Sequence, residues 1–226
     1  MTRLKDKVAI VTGSGAGIGK AIAEVFAKEG AKVVVATRFA EEGQPVADRI
    51  AAEGGQAFFV KCDVSVEADA QSMVAATIKK YGHIDILVNN AGVNFGKPFE
   101  QVEVADWDRI INVDLRGVFL CTRKVIPEML KAKKGSVINI ASVHSIACVA
   151  QASAYDAAKW GVVGLTKALA KELAPKIQVV AIAPGPMLPP EGMSAAQRRR
   201  VIRRVPLARW GSPDDIANAA LFAIQG

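Results

Sequence analysis

Residues 7–19 read KVAIVTGSGAGIG, and this stretch decides the fold because an apolar run leads directly into four closely spaced glycines. The β-branched run at 7–12 predicts a strand, and the residues from 18 onward have helical spacing. Glycines at such a turn accept positive φ angles and let backbone N–H groups approach a pyrophosphate at the helix N-terminus. The turn therefore predicts a dinucleotide site that includes Gly13, Ser14, Gly17 and Gly19, although such turns can also need glycines for purely structural reasons.

The rest of the chain repeats this alternation of strand and helix. Apolar runs predict strands at 7–12, 32–37, 57–61, 84–89, 136–141 and 178–183, and helical spacing predicts helices at 18–29, 41–53, 68–81, 105–131, 154–173 and 213–224. Strands that are apolar on both faces are typical of a parallel sheet, which needs helical crossovers.

The sequence therefore predicts an α/β fold, a single doubly wound Rossmann-type parallel sheet with helices on both faces, over residues 1–226. A Pro- and Gly-rich stretch after the sixth predicted strand predicts a substrate loop near 185–205. Because no seventh strand pattern follows residue 224, we expect the sheet to lack its last edge strand.

Composition narrows the class of protein. Lys and Arg number 29 against 22 Asp and Glu, and the resulting net charge of +7 suits an anionic ligand such as a dinucleotide. The arginine run at 198–204 has no interleaved aromatic residues, which favours a solvated helix face over a nucleic-acid patch. We therefore expect no specific nucleic-acid partner.

The cysteines, the N-terminus and the hydropathy pattern bear on location and metals. Three cysteines without CxxC spacing are interpreted as reduced core residues of a cytoplasmic protein. Residues 1–7 have no signal-peptide pattern, and no apolar run is long enough to cross a membrane. Neither histidine stands near a cluster of Cys or carboxylates, so we expect no metal site.

The end of the second predicted strand bears on the choice of cofactor. It reads Ala36-Thr37-Arg38, where an acidic residue would favour the free 2′-hydroxyl of NAD(H). Without that carboxylate, and with a guanidinium able to bind a phosphate through two N–H groups, Thr37 and Arg38 predict a site that favours NADP(H). NAD(H) remains an alternative, because Arg38 is also typical of a solvated loop.

Tyr155 and Lys159 lie four residues apart in a predicted helix, so their side chains should share one face. At about 5 Å and an effective dielectric of about 20, an ammonium would favour the phenolate by about 3 kcal/mol. We therefore expect Lys159 to lower the pKa of Tyr155 by about two units, toward neutral pH. Ser142 closes the fifth predicted strand, where its hydroxyl could donate to a substrate carbonyl or merely cap the next segment.

Further motifs stand in a fixed order along the chain. Asn89-Asn90-Ala91-Gly92 follows the fourth predicted strand, Asn112 opens NVDLRG, Ser142 precedes Tyr155 and Lys159, and Pro184-Gly185 follows the sixth strand. With the glycine-rich turn, they make residues 5–224 resemble the short-chain dehydrogenase/reductase family.

The resemblance implies hydride transfer between a nicotinamide and a carbonyl or secondary-alcohol carbon. It implies a catalytic tetrad in which Tyr155 exchanges the proton, Ser142 steadies the substrate oxygen, Lys159 tunes Tyr155 and holds the nicotinamide ribose, and Asn112 maintains a water-linked proton path. It also implies cofactor contacts from Ile18, Asp63, Val64, Asn90, Ala91, Gly92, Tyr155, Lys159, Pro184 and Gly185.

The resemblance leaves the substrate open. We expect His144 and Met187 to line the substrate pocket. Family members commonly place a threonine shortly after Pro-Gly, whereas residues 186–190 read PMLPP, so that contact to the nicotinamide is expected to be absent or made by backbone. The stretch 187–192 resembles that of some pteridine-reductase-like members, which keeps a pterin or quinone reductase as an alternative.

A non-catalytic dinucleotide-sensing module is the alternative from another class. Such a module would be expected to have lost Tyr155 or Lys159, and this chain has both. The resemblance further suggests a homo-oligomer, a tetramer or dimer, built on the helices that begin near residues 105 and 154.

Overall fold

The computed structural model describes residues 2–187, 189 and 192–224, and its centre is a sheet of six parallel strands. Their order is β3-β2-β1-β4-β5-β6, with β1 at Val8–Thr12, β2 at Lys32–Thr37, β3 at Gln56–Lys61, β4 at Ile86–Asn89, β5 at Gly135–Ile140 and β6 at Ile177–Ile182. This order reverses between β1 and β4, and the carboxyl ends of the strands at such a point form the ligand crevice of doubly wound folds. The predicted fold class is confirmed.

Helices cover both faces of the sheet: α1 (Gly17–Lys28), α2 (Ala40–Ala52), α3 (Glu67–Tyr81), α4 (Val104–Ile110), α5 (Gly117–Ala132), α6 (Ser153–Leu173), α7 (Ala195–Ile202) and α8 (Pro213–Ala223). Alternate residues of β1 enter two different cores, since Val11 packs with Phe26 of α1 whereas Ile10 packs with Met73 of α3. Burial on both faces explains why the strands are almost continuously apolar.

The helix predicted over 105–131 is divided by a π-helical segment, Ile111–Arg116, between α4 and α5. A π turn fits one additional residue into the helix and so changes which side chains face inward. After this segment α5 packs closely against the loop that follows β3, where a Cβ on Gly117 would lie 2.7 Å from Val64 Cγ2. The apolar spacing of the sequence continues through the segment, so it gave no sign of the division.

Two other expectations need correction or limitation. Cys62 and Cys121 are buried as predicted, but Cys148 is exposed because it lies in the loop between β5 and α6. Leu188, Pro190 and Glu191 of the predicted substrate loop lie outside the described residues. None of the helices in the described part of the chain is both long and apolar enough to span a bilayer.

Candidate active site

The glycine-rich turn is fixed to the neighbouring strands by side-chain hydrogen bonds. Asn90 Nδ2 donates to the carbonyl oxygens of Thr12 (3.0 Å) and Gly13 (3.1 Å), and the Asn90 N–H donates to Thr12 Oγ1 (3.0 Å). Gly13 has a φ of 62°, and a Cβ there would lie 2.7 Å from Ala91 Cα. Glycine is therefore required at position 13 by both conformation and space.

Ser14 and Gly19, which the sequence assigns to the cofactor, hold the turn rather than line the cleft. The buried Ser14 hydroxyl donates to the Val11 carbonyl (2.7 Å) and accepts from the Ala36 N–H (3.1 Å). A Cβ on Gly19 would lie 2.4 Å from both Asn90 Nδ2 and the Gly13 oxygen. Both residues thus let β1, β2 and the turn approach one another.

A cavity of about 420 Å³ opens beside the turn, at the carboxyl ends of β1, β2 and β3. Most of the residues predicted to contact the cofactor line it, namely Gly13, Gly17, Ile18, Thr37, Arg38, Asp63, Val64, Asn90, Ala91 and Gly92. Arg38 is half-exposed there and lies 3.9 Å from Asp63 Oδ2. The sequence predicts neither Phe39 nor Glu42, which also line this cavity.

A second cavity of about 360 Å³ continues the first and shares Ile18, Asn90, Gly92 and Val93 with it. Its lining includes Ser142, Tyr155, Lys159, Pro184, Gly185 and Met187. The two cavities run along the switch point of the sheet, and the Gly17 surface is open, since a Cβ there would meet nothing within 4 Å. An elongated cleft with a backbone turn at one end and a phenol at the other fits a dinucleotide.

Tyr155 and Lys159 rise from the same face of α6 as predicted, and the Lys159 ammonium lies 5.4 Å from the centre of the Tyr155 ring. The ammonium donates to the Ile140 carbonyl (3.1 Å) and lies 3.2 Å from Asp114 Oδ2. Ser142 begins the turn after β5, and its hydroxyl is close enough to Tyr155 for a hydrogen bond that lowers the phenol pKa. The three side chains therefore converge on one end of the cleft.

The expected pKa of Tyr155 is wrong in direction. Burial raises the pKa of Tyr155 above its ordinary value, the Ser142 hydrogen bond only partly opposes this, and the negative charges of Asp114 and Asp156 raise it further. The prediction considered Lys159 alone and left out both desolvation and the carboxylates. In the protein without its ligands, Tyr155 is therefore a protonated phenol at neutral pH.

Two predicted site residues are not brought into the cleft. Asn112 is half-buried in the π-helical segment and is not among the described residues that line the second cavity. Asp114 of the same segment lines that cavity instead. His144 does not belong to the described lining either, because its Nδ1 lies 2.5 Å from Asp156 Oδ1 and its ring packs against Tyr155. Sequence reasoning missed Asp114, although a carboxylate two residues from a candidate catalytic asparagine was a usable signal.

The fold and this cleft together define a nicotinamide-dependent oxidoreductase of the Rossmann type. The family model described as short chain dehydrogenase matches residues 7–200. The chain is 38% identical over 223 residues to the 3-oxoacyl-[acyl-carrier-protein] reductase FabG of Thermotoga maritima, covering 97% of this chain and 91% of the relative.

Two other comparisons agree. The chain is 40% identical over 222 residues to the (2S)-[(R)-hydroxy(phenyl)methyl]succinyl-CoA dehydrogenase subunit BbsD of Thauera aromatica, covering 97% of this chain and 89% of that one. A crystal structure described as a short-chain alcohol dehydrogenase from Sinorhizobium meliloti superposes with a TM-score of 0.93 at 34% identity, over 97% of this chain and 89% of that chain. The chain belongs to the short-chain dehydrogenase family, whose members use NAD(P)(H).

Proposed function

We propose that the chain reduces a carbonyl group with NADPH, or runs the reverse oxidation of a secondary alcohol. The observation that carries this proposal is the partly buried phenol of Tyr155, which lines the same cavity as Lys159 and Ser142 next to the first cavity. A bound nicotinamide would supply the hydride in this cleft.

The residues of the chain supply the proton and the alignment. Tyr155, protonated at neutral pH, donates its proton to the substrate oxygen during carbonyl reduction and takes one back from the alcohol in the reverse direction. Ser142 donates a hydrogen bond to the same oxygen, and Lys159, which lines the same cavity, would hold the nicotinamide ribose. Gly185 and Met187 line the same cavity and would contact a substrate bound there.

The preference for NADPH rests on Arg38. Arg38 is the guanidinium group in the described lining of the first cavity, and its planar group would bind a 2′-phosphate through two N–H groups. Asp63 and Glu42 line the same cavity, so Arg38 must outweigh two carboxylates. Steady-state turnover with each cofactor tests the preference, and equal or better kcat/KM with NADH would refute it.

Among carbonyl compounds, we propose a 3-oxoacyl thioester as the substrate class. The support comes from the relatives, since that of Thermotoga maritima is named a 3-oxoacyl-[acyl-carrier-protein] reductase and that of Thauera aromatica is named as a dehydrogenase of a succinyl-CoA compound. The exposed arginines on and after α7 suit a substrate with an anionic carrier. Pterins and quinones are the competing classes.

A substrate panel followed by the absorbance of the reduced cofactor tests both the reaction and the substrate. It compares acetoacetyl-CoA, a simple ketone, a quinone and a dihydropterin. Tyr155→Phe is expected to lower turnover by about 10²- to 10⁴-fold while cofactor binding, followed by fluorescence, stays within a few fold. Tyr81→Phe is the matched control, because Tyr81 packs on Phe58 away from the cleft. Full turnover by Tyr155→Phe would refute the proposal.

We also propose a cytoplasmic homo-oligomer. Association of subunits is supported by exposed apolar side chains on the two helices that the sequence predicts at the subunit contact, Phe119 on α5 and Trp160 on α6. Phe222 on α8 is exposed as well. Light scattering after size exclusion would show a dimer or tetramer, and Trp160→Glu is expected to lower the mass. A monomer at micromolar concentration would refute it.

A further inference from the structure

Asp114 is a fully buried carboxylate that lines the catalytic cavity. Its Oδ1 accepts a hydrogen bond from the Val93 N–H (2.8 Å), and its Oδ2 lies 3.2 Å from Lys159 Nζ. A Cβ on Gly92 would lie 2.7 Å from Oδ2, so only glycine at position 92 leaves room for the carboxylate. The π-helical segment that places Asp114 here departs from the geometry of the flanking helices, which indicates a position fixed by tertiary contacts.

The titratable groups around Tyr155 come from three elements. Lys159 and Asp156 lie on α6 itself, Asp114 lies on the π-helical segment, and His144 lies in the turn after β5. Asp156 contacts His144, and Asp114 contacts Lys159. The ammonium that the sequence suggested would act on the phenol is therefore already paired with a carboxylate.

The pairing has a consequence for proton transfer. An unpaired ammonium near a buried phenol favours the phenolate, whereas an ammonium paired with a carboxylate presents almost no net charge at that distance. Burial raises the pKa of Asp114, but Lys159 and the Val93 N–H oppose this and favour the charged carboxylate. The pair is thus a buried ion pair whose two charges act on Tyr155 in opposite directions.

We propose that Asp114 is a positioning residue that keeps Tyr155 protonated to higher pH by cancelling the field of Lys159. This inference deepens the proposed function and rests on it for its catalytic meaning, since only a protonated phenol can complete carbonyl reduction. Asp114 acts through Lys159 and does not itself touch the reacting oxygen. The cost of the arrangement is that the reverse reaction, which needs the phenolate, is restricted to more alkaline pH.

The test uses the small number of tyrosines in the chain. Tyr81 and Tyr155 are the two tyrosines, so Tyr81→Phe leaves Tyr155 as the single phenol, and its phenolate can be followed by ultraviolet absorbance as the pH is raised. In that background Asp114→Asn is expected to lower the midpoint by about one to two pH units. An unchanged or higher midpoint would overturn the proposal.

Two further variants separate charge from structure. Asp85→Asn is the matched control, because Asp85 is also buried and paired with a lysine, Lys7 at 3.2 Å, but precedes β4 at the opposite end of the sheet. It should leave the midpoint unchanged. If Asp114→Asn does not fold, the smaller Asp114→Ser removes the same charge and is read in the same way.

A double-mutant cycle tests whether Asp114 acts through Lys159. Without the ammonium, the Asp114 carboxylate is uncompensated at the alkaline pH where the phenol titrates, so Lys159→Met should raise the phenol midpoint and adding Asp114→Asn should bring it back down. A midpoint that is unchanged or lower in Lys159→Met would overturn the role assigned to the pair.

The last comparison separates this inference from the proposed function. The titration needs neither cofactor nor substrate, so it decides the inference by itself. For alcohol oxidation, the acid limb of the pH–rate profile should move to lower pH in Asp114→Asn by the same amount as the phenol midpoint. If the phenol midpoint moves and the rate profile does not, the charge pairing is supported and the catalytic role of Tyr155 fails.

Discussion

The imidazole ring of His144 stands nearly perpendicular to the phenol ring of Tyr155, with ring centres 5.4 Å apart and an angle of 80° between the planes. His144 is held in this position by Asp156, whose second carboxylate oxygen accepts from the Val149 N–H at 2.8 Å. One buried carboxylate near the start of α6 thus holds the loop that follows Ser142 at two positions. The edge contact restricts the movement of the Tyr155 ring.

Replacing His144 should reveal how much this contact stabilises the fold. His144→Phe keeps an aromatic edge against Tyr155 but leaves Asp156 without its side-chain partner, so we expect a loss of about 1–3 kcal/mol in the free energy of unfolding. His144→Ala should lose about 0.5–1.5 kcal/mol more because the aromatic contact is also lost. Urea unfolding measures both. Equal stability of wild type and His144→Phe would show that the Asp156 bond contributes nothing.

Much of the fold could be predicted because its signals are local. Each strand is a short apolar run next to a helix-spaced segment, and the observed strand ends differ from the predicted ones by no more than two residues. The Tyr155 and Lys159 pair was equally accessible, since a spacing of four on a helix places two side chains on one face whatever surrounds them.

The remaining features of the site depend on contacts between distant segments. Asp114 faces the cleft only because the chain forms a π turn where Gly117 meets Val64, and neither residue reveals this in its own segment. His144 leaves the pocket wall because Asp156, twelve residues later, binds its ring. The pKa of Tyr155 rises through burial, which no sequence spacing reports.

The acid stability of the C-terminal helix should depend on Asp215. Hydrogen bonds from Arg209 lower the pKa of Asp215 from 3.8 to about 2, and Asp215 also accepts from the Ser212 N–H that begins α8. A pKa that is lower in the folded chain than in the unfolded chain stabilises the fold at pH values above the unfolded pKa of 3.8. This contribution disappears as the pH falls through about 2. Above about pH 5 the Asp215 carboxyl is ionised in both the folded and the unfolded chain, because its ordinary pKa is 3.8. The difference in urea midpoint between wild type and Asp215→Asn should therefore be constant above about pH 5 and shrink below it. A difference that does not change with pH would contradict this.

Arg38 should decide between the two cofactors. Removing a guanidinium that binds a phosphate costs about 1.5–3 kcal/mol, so Arg38→Ser is expected to raise the KM for NADPH by about 10- to 100-fold. The KM for NADH should change little, because the free 2′-hydroxyl makes no such bond. Arg49→Ser is the control, since Arg49 is a comparably exposed arginine on α2 outside the described cavity lining. Parallel changes for both cofactors would show that Arg38 acts by general attraction.

Two helical glycines offer a direct test of why the turn needs its glycines. A methyl group on Gly19 would lie 2.4 Å from both Asn90 Nδ2 and the Gly13 oxygen, whereas one on the exposed Gly164 of α6 would meet nothing within 4 Å. Gly164→Ala should stabilise the protein by up to about 1 kcal/mol, because alanine favours a helix more than glycine does. Gly19→Ala gains the same helix propensity, but it must push Asn90 away from Thr12 and Gly13, which breaks the hydrogen bonds that hold the turn to β4. We therefore expect Gly19→Ala to lose about 1–3 kcal/mol in urea unfolding and to weaken dinucleotide binding in a fluorescence titration. If both alanines stabilised the protein alike, close packing could not be the reason that glycine occupies position 19.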